Sequence, residues 1–217
     1  MVQIHFVLIG EGSSDTGLIS HLKELCIHVG ADEVSGTSPD FQRLDERIGA
    51  SVEAKLKATL ELEPNANLIF IHRDSDSRNP AHRYTEIALA VEACEYSGSY
   101  VAIVPVQETE AWLLLNELAI RHIAQRPNGQ RSLNLPRPRR VEFIASPKEV
   151  LQEALAIACE QRGKRLARFK RDFSSHRRLL LERLPIGGPL EQVPSWVRLK
   201  ENIRTTIQTL RVLADSA

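Results

Sequence analysis

Three short apolar runs constrain the fold of this chain more than any other feature of its sequence. They cover Ile4–Ile9, Leu68–Ile71 and Tyr100–Val106, and helical patterns separate them. A continuous apolar run is typical of a strand that is buried on both faces of a parallel sheet. The alternation of such strands with helices predicts an α/β fold, in which a mainly parallel sheet is flanked by helices.

Other patterns predict the elements around and after this sheet. A helix is expected over about 44–62, and a short edge strand at Val141–Ile144. Ser146 begins a capping box with Glu149, which predicts a helix start at that position. A final helix is expected around 196–210, so the second part of the chain is predicted to be a mostly helical extension.

Acidic residues follow each of the three apolar runs. Because the carboxyl ends of parallel strands meet at one edge of a sheet, we expect several of these acids to converge. Crowded carboxylates disfavour one another's ionisation unless a cation lies between them, and oxygen-only ligands suit Mg²⁺ or Mn²⁺. The predicted metal ligands are Glu11, Asp74, Asp76, Glu108 and Glu110. Glu108 and Glu110 are alternatives, because a helix starting near Thr109 would turn them apart.

These acids also have other interpretations. Asp74 and Asp76 are two residues apart, so they share a face if the strand continues, but the same segment is good turn material. Glu11 lies between two glycines and is a poor turn residue, which favours a functional role.

The segment from Gly10 could also be a dinucleotide-binding loop with Asp32 as the distant acid. Asp15 at the third glycine position and Glu11 beside a pyrophosphate both count against that alternative.

The net charge of zero conceals a division between the two parts of the chain. Residues 1–120 hold 8 Lys and Arg against 19 Asp and Glu, which gives −11. Residues 121–217 hold 20 against 9, which gives +11. The basic part could bind a polyanion, or could simply be a solvated face or pack against the acidic part. The candidate nucleic-acid-binding residues are Arg73, Arg78, Arg162, Lys164, Arg165, Arg168, Lys170 and Arg171.

The cysteines and the hydropathy indicate where such a chain would reside. Cys26, Cys94 and Cys159 are widely spaced and form no CxxC pair, which disfavours a disulfide framework and a zinc knuckle. No apolar stretch reaches 18 residues, and the first residues lack the basic segment of a signal peptide. We therefore expect a cytoplasmic protein that does not interact with a membrane.

Taken in order, the acidic motifs resemble the Toprim fold of topoisomerases, primases and related nucleases. The Glu-Gly-Ser-Ser-Asp segment from Glu11 is similar to the nuclease domain of the OLD (overcoming lysogenization defect) family. The segment Gln107–Leu114, with Pro147-Lys148 and Leu151, is similar to a small Toprim-like family of standalone bacterial proteins. Many Toprim proteins have a third Asp where this chain has Arg78, which argues against a topoisomerase or a primase.

The resemblance implies a Mg²⁺- or Mn²⁺-dependent nuclease, in phage defence or DNA repair, with one or two ions. The composition of Gln125–Arg140 is typical of a loop or linker, so we expect a Toprim-like core over 1–125 and a basic, mostly helical extension over 126–217 that packs on the core. Asp74 and Asp76 would hold one ion, Glu110 or Glu108 a second, and Glu11 would bridge them or act as the general base. The alternatives are a non-catalytic subunit that binds a partner protein such as an ATPase, and a phosphatase that acts on small molecules.

Overall fold

The computed structural model describes residues 1–215, which divide into two compact units. Unit 1 contains residues 1–74, residues 79–104 and the described chain from Arg198 onward. Unit 2 contains residues 75–78 and 105–197. The units therefore interleave along the chain, whereas the sequence predicted a single boundary after residue 125.

The centre of unit 1 is a four-stranded parallel sheet. Its strands are β1 (Gln3–Ile9), β2 (Glu33–Thr37), β3 (Leu68–His72) and β4 (Ser99–Ile103), in the order β2-β1-β3-β4. All three strand pairs are parallel. The prediction of an α/β fold with a parallel sheet flanked by helices is confirmed. Two of the continuous apolar runs form the central strands β1 and β3, and the third forms β4 at the edge of the sheet.

Helices cover this sheet and bury its apolar side chains. The helices of unit 1 in this region are α1 (Ile19–His28), α2 (Val52–Leu62) and α3 (Ala81–Ala93). Ile9 pairs with Ile71, and Ile71 pairs with Ala102, so the three side chains lie on one face. That face forms a buried cluster with Leu56 of α2 and Ile87 of α3. Alternate residues such as Phe6 and Phe70, whose rings meet edge to face at 5.0 Å, lie on the other face.

Gly36 is required by the packing of the edge strand β2. It is the register partner of Phe6 in β1, and a Cβ atom at Gly36 would collide with the Phe6 ring. The absence of a side chain therefore makes room for an aromatic ring that is fully buried.

Unit 2 is helical over the residues that the structure describes. It contains α4 (Glu110–Leu113), α5 (Glu117–Ile123), α6 (Pro147–Ala158), α7 (Gly163–Arg171), α8 (Phe173–Leu181) and the beginning of α9 (Pro194–Asp215). Trp112 and Trp196 form part of its core, with their rings edge to face at 5.0 Å. The Trp112 indole N–H donates to Ser195 Oγ at 3.0 Å, which satisfies its buried polar atom.

Two predicted elements differ from the structure. The helix expected from residue 44 begins at Val52, because Ser51 is its N-cap and accepts a hydrogen bond from the Ala54 N–H at 3.2 Å. The edge strand predicted at 141–144 is wrong, since a 3₁₀ helix occupies Pro138–Phe143. Pro138 fixes its own φ near the helical value and favours a helix start there.

The helix start predicted at Ser146 is confirmed, but the predicted capping box is wrong. Ser146 is the N-cap of α6, but its side chain makes no capping hydrogen bond. The Lys148 N–H donates instead to Glu108 Oε2, at 3.0 Å. An acid distant in sequence thus satisfies one of the free N–H groups at the start of α6.

None of the helices over residues 1–215 combines the length and the apolar character that crossing a bilayer requires.

Candidate functional site

Two of the predicted ligands follow neighbouring strands at the point where the sheet order reverses. From β1 the chain goes to β2 on one side of the sheet, and later to β3 on the other. Ligands of open α/β folds bind beyond the carboxyl ends of the strands at such a reversal. Glu11 follows β1 and Asp74 follows β3, so both lie at the position where this topology favours a site.

Asp15 shapes the turn that presents Glu11. Its Oδ2 accepts hydrogen bonds from the Glu11 N–H at 2.9 Å and from the Gly12 N–H at 3.2 Å. A Cβ atom at Gly10 would lie 2.9 Å from the Asp15 Cβ, so a glycine is needed there. Asp15 lies inside a 3₁₀ helix over Ser13–Leu18, and its side chain accepts from the residues that precede it.

His72 lies between two of the carboxylates. Its Nδ1 is 3.3 Å from Asp15 Oδ2, its Nε2 is 3.5 Å from Asp74 Oδ1, and its side chain is only 1% exposed. Burial lowers the pKa of His72, but the close Asp15 carboxylate and the charges of Asp74 and Glu11 outweigh burial and raise it. When it is protonated, His72 offsets the charge of the acids around it.

Two further cations hold the Glu11 segment in place. Arg73 Nη1 lies 3.1 Å from Glu11 Oε1, and Arg73 Nη2 lies 3.4 Å from Glu86 Oε1. The Lys55 ammonium donates to the carbonyl oxygens of Gly10 and Glu11, at 2.8 and 3.0 Å. Burial, followed by repulsion from Arg73, lowers the pKa of Lys55. The site therefore contains both carboxylates and cations that an anionic group could use.

The carboxylates of the site remain open to solvent to different degrees. The side chain of Glu11 is 31% exposed and that of Asp74 is 15% exposed, whereas Asp15 is almost fully buried. The Asp74 carbonyl oxygen accepts a hydrogen bond from Arg83 Nε at 2.9 Å, which fixes the backbone of this residue. Glu11 and Asp74 can therefore reach a ligand, while Asp15 serves the turn.

Asp76 belongs to unit 2, and its backbone is not extended. β3 ends at His72, and Asp76 has a φ of 51°, so the two-residue alternation of a strand does not continue to this position. The Asp76 N–H donates to the Gln107 carbonyl oxygen at 2.8 Å. The prediction that Asp74 and Asp76 share a face assumed an extended strand, and the backbone at Asp76 is not extended.

Glu108 and Glu110 also belong to unit 2, and both have partners there. Glu110 is buried and its Oε1 lies 2.7 Å from Arg177 Nε, while Glu108 accepts from the first turn of α6. The convergence of Glu11 and Asp74 with Asp76 and these two glutamates stays a prediction. The choice between Glu108 and Glu110 as a ligand also stays a prediction.

The predicted phosphate-binding residues occupy several positions. Arg73 lies in the acidic site, and Arg78 Nη2 donates to the Phe143 carbonyl oxygen at 3.3 Å. The remaining six lie at the start of α7 or along it: Arg162, Lys164, Arg165, Arg168, Lys170 and Arg171. All six are exposed, and none forms an ion pair with a described residue. We call these six residues the α7 basic cluster.

The donor set is compatible with Mg²⁺, although it is sparse. Over residues 1–215, no three His, Cys, Asp or Glu side chains are grouped closely enough to hold a metal ion. Mg²⁺ keeps several waters and is often bound by one or two carboxylates together with substrate phosphates. Glu11 and Asp74 supply two partly open carboxylates at the sheet edge, which meets that requirement.

The sequence did not indicate Lys55 or Glu86 as neighbours of the site. Both lie on helices, and their proximity to Glu11 and Arg73 depends on how α2 and α3 pack on the sheet. No local motif marks such residues. The sequence shows only a Lys and a Glu on predicted helices. Such residues also occur on many solvated helix faces.

Comparisons with protein-family models, with curated proteins and with solved structures find no match to this chain.

Proposed function

We propose that this protein is a Mg²⁺- or Mn²⁺-dependent nuclease that hydrolyses phosphodiester bonds at the site formed by Glu11 and Asp74. The observation that supports this most directly is the position of these carboxylates. They follow adjacent parallel strands at the reversal of the sheet order, where α/β folds bind ligands. The resemblance of the acidic motifs to Toprim nucleases supplies the reaction class.

The charge around the carboxylates also supports the proposal. Arg73, Lys55 and His72 surround the carboxylates, so part of the negative charge is already balanced. An exclusively acidic site would repel an anionic substrate, and these cations reduce that repulsion. A phosphodiester substrate needs both kinds of group, because the phosphate must be held while a nucleophile is activated.

The residues of the site would then take different roles. Glu11 is partly exposed and its position is fixed by Arg73, so it is placed to accept the proton of an attacking water or to hold the cation. Asp74 would hold the divalent cation together with Glu11. Asp15 and Lys55 fix the turn that carries Glu11, and they are positioning residues. A bound divalent cation supplies charge stabilisation to the phosphoryl oxygens.

Arg73 is suited to bind a substrate phosphate. It is close to Glu11 and Glu86 but is still 20% exposed on its side chain, so it can also face a ligand. Arg provides a planar set of donors that matches phosphate oxygens. In this role it would orient the scissile group towards Glu11.

The proposal can be tested with purified protein, supercoiled plasmid and a small phosphate ester, each with Mn²⁺, with Mg²⁺ and with EDTA. We expect nicking or linearisation of the plasmid with either metal and none with EDTA. Hydrolysis of the small ester without plasmid cleavage would instead indicate a phosphatase. No hydrolysis of either substrate would favour the non-catalytic partner-binding alternative and would overturn the proposal.

A further inference from the structure

Unit 2 contains a cavity that the proposed chemistry does not use. Its volume is about 600 Å³, and its walls are formed by α6, α7 and α8. This volume lies within the range of small-molecule binding pockets. None of the strand-end acids lines the cavity.

Aromatic rings line the cavity on the side of α7 and α8. Phe169 and His176 are stacked, with ring centroids 4.2 Å apart and planes 28° apart, and Phe173 lies beside them. None of the nine residues of α7 is fully buried, so the Phe169 ring keeps accessible surface. Accessible aromatic rings in a cavity favour a flat, apolar ligand surface.

Charged groups of both signs line the cavity. Lys170 belongs to α7, and Arg131 also contributes to the rim. Lys170 is part of the α7 basic cluster, in which six exposed cations have no ion-pair partner among the described residues. The lining also includes Glu149 and Glu153 of α6, whose carboxylates can accept hydrogen bonds. A ligand that fits is therefore flat and carries both an anionic group and N–H donors.

We propose that this cavity receives an unstacked nucleobase of single-stranded nucleic acid while the α7 basic cluster binds its phosphates. Bases of a single strand can stack on aromatic side chains, whereas those of a duplex are already stacked and paired. The exocyclic amino group of cytosine, adenine or guanine would donate to Glu149 or Glu153. The inference rests on the proposed function only in taking nucleic acid as the ligand, and it adds a preference for single strands.

The test compares strands that differ only in their bases. Fluorescence anisotropy in EDTA would measure binding of the full chain to an oligodeoxycytidine, to an abasic strand of equal length, and to a duplex. The wild-type protein should bind the oligodeoxycytidine more tightly than the abasic strand, by roughly 5- to 150-fold for one stacked base. The duplex should bind less tightly than the oligodeoxycytidine.

Variants separate the contribution of the bases from that of the phosphates. Phe169→Leu keeps apolar bulk but removes the ring, and it should abolish most of the preference for bases while leaving the affinity for the abasic strand unchanged. Phe173→Leu is a second such variant, in case Phe169→Leu does not fold by circular dichroism. Ala167→Ser, an exposed position on the same helix, is the matched control and should retain the preference.

Equal binding of the oligodeoxycytidine and the abasic strand by the wild-type protein would overturn the inference. Retention of the preference by both Phe variants would also overturn it. Displacement of the strand by a polyglutamate peptide, with no base preference, would instead assign the surface to an acidic protein segment. Because EDTA prevents metal-dependent cleavage, this result is independent of whether the plasmid is cleaved, and the two proposals can fail separately.

Discussion

Glu11 is the residue whose removal should most affect the proposed reaction. Glu11→Gln keeps the size of the side chain but removes the charge that would accept a proton and hold a cation. We expect the Mn²⁺-dependent cleavage rate to fall by about 10²- to 10⁴-fold, which is the usual contribution of a positioned general base. Plasmid cleavage assays under identical conditions would measure this loss.

Glu86 provides the matched control for this substitution. It also lies close to Arg73, at 3.4 Å, but it belongs to α3 and not to a strand end. Glu86→Gln should therefore leave most of the cleavage activity. Equal losses in the two variants would mean that they act through Arg73, and the role of Glu11 in the reaction would have to be abandoned.

Gly36 permits a test of packing at the level of one atom. Gly36→Ala would place a Cβ against the buried Phe6 ring, and we expect it to lower the free energy of unfolding by about 1–3 kcal/mol. Gly187→Ala is the control, because a Cβ there meets no atom within 4 Å. Urea denaturation of both variants would measure the difference. A stability loss at Gly187 as large as that at Gly36 would contradict the explanation.

His176 should make the stability of the protein depend on pH. Burial lowers the pKa of His176, and Asp172 offsets this only in part. The unfolded chain then binds the proton more readily, so the folded state loses stability as the pH falls through about 6.5, the ordinary value for histidine. His176→Gln removes this contribution. Urea midpoints on both sides of that pH should change less in the variant, and an unchanged pH dependence would disprove the role of His176.

At the scale of elements, α6 depends on an acid outside its own sequence. Glu108 accepts a hydrogen bond from the Lys148 N–H, whereas the Ser146 side chain does not cap the helix. We expect Glu108→Ala to cost about 0.5–2 kcal/mol of stability without metal, the usual value of a helix cap, and Ser146→Ala to cost much less. Denaturation in EDTA would measure both. The reverse order would show that the capping box forms in solution.

The strands were predictable from the sequence for a physical reason. Runs such as Leu68–Ile71 are apolar at every position, which is typical of a short strand buried on both faces. The start of α2 was less predictable, because several residues after 44 are compatible with a helix. There the hydrogen bond of Ser51 decides the boundary.

The candidate site was predictable only in part, since its contacts depend on how the strands pair. The sequence marked Glu11 and Asp74 because each follows an apolar run. It could not show that His72 lies between Asp15 and Asp74, because that contact requires the pairing of β1 with β3. Histidines are common in predicted strands, and no local pattern distinguishes one that is flanked by two acids.

At the scale of the whole molecule, the charge of the basic part should govern nucleic-acid binding. Replacing Lys164, Arg165 and Arg168 by Gln should reduce the slope of log affinity against log salt by about 0.7–0.9 for each lost phosphate contact. Metal affinity, measured by calorimetry, should not change. Binding titrations at several salt concentrations would measure the slope. An unchanged slope would indicate that the α7 basic cluster is a solvated face.

The interleaving of the two units limits how this gene could be shortened or recombined. A fragment that stopped at residue 197 would contain all four strands but would lack the part of α9 in which Ile203 and Ile207 are buried in unit 1. A fragment that stopped at residue 125 would retain only the first helices of unit 2. Residues 105–197, by contrast, form one continuous insertion between two parts of unit 1. Exchange of that segment between related genes would vary unit 2 while preserving every strand of the sheet.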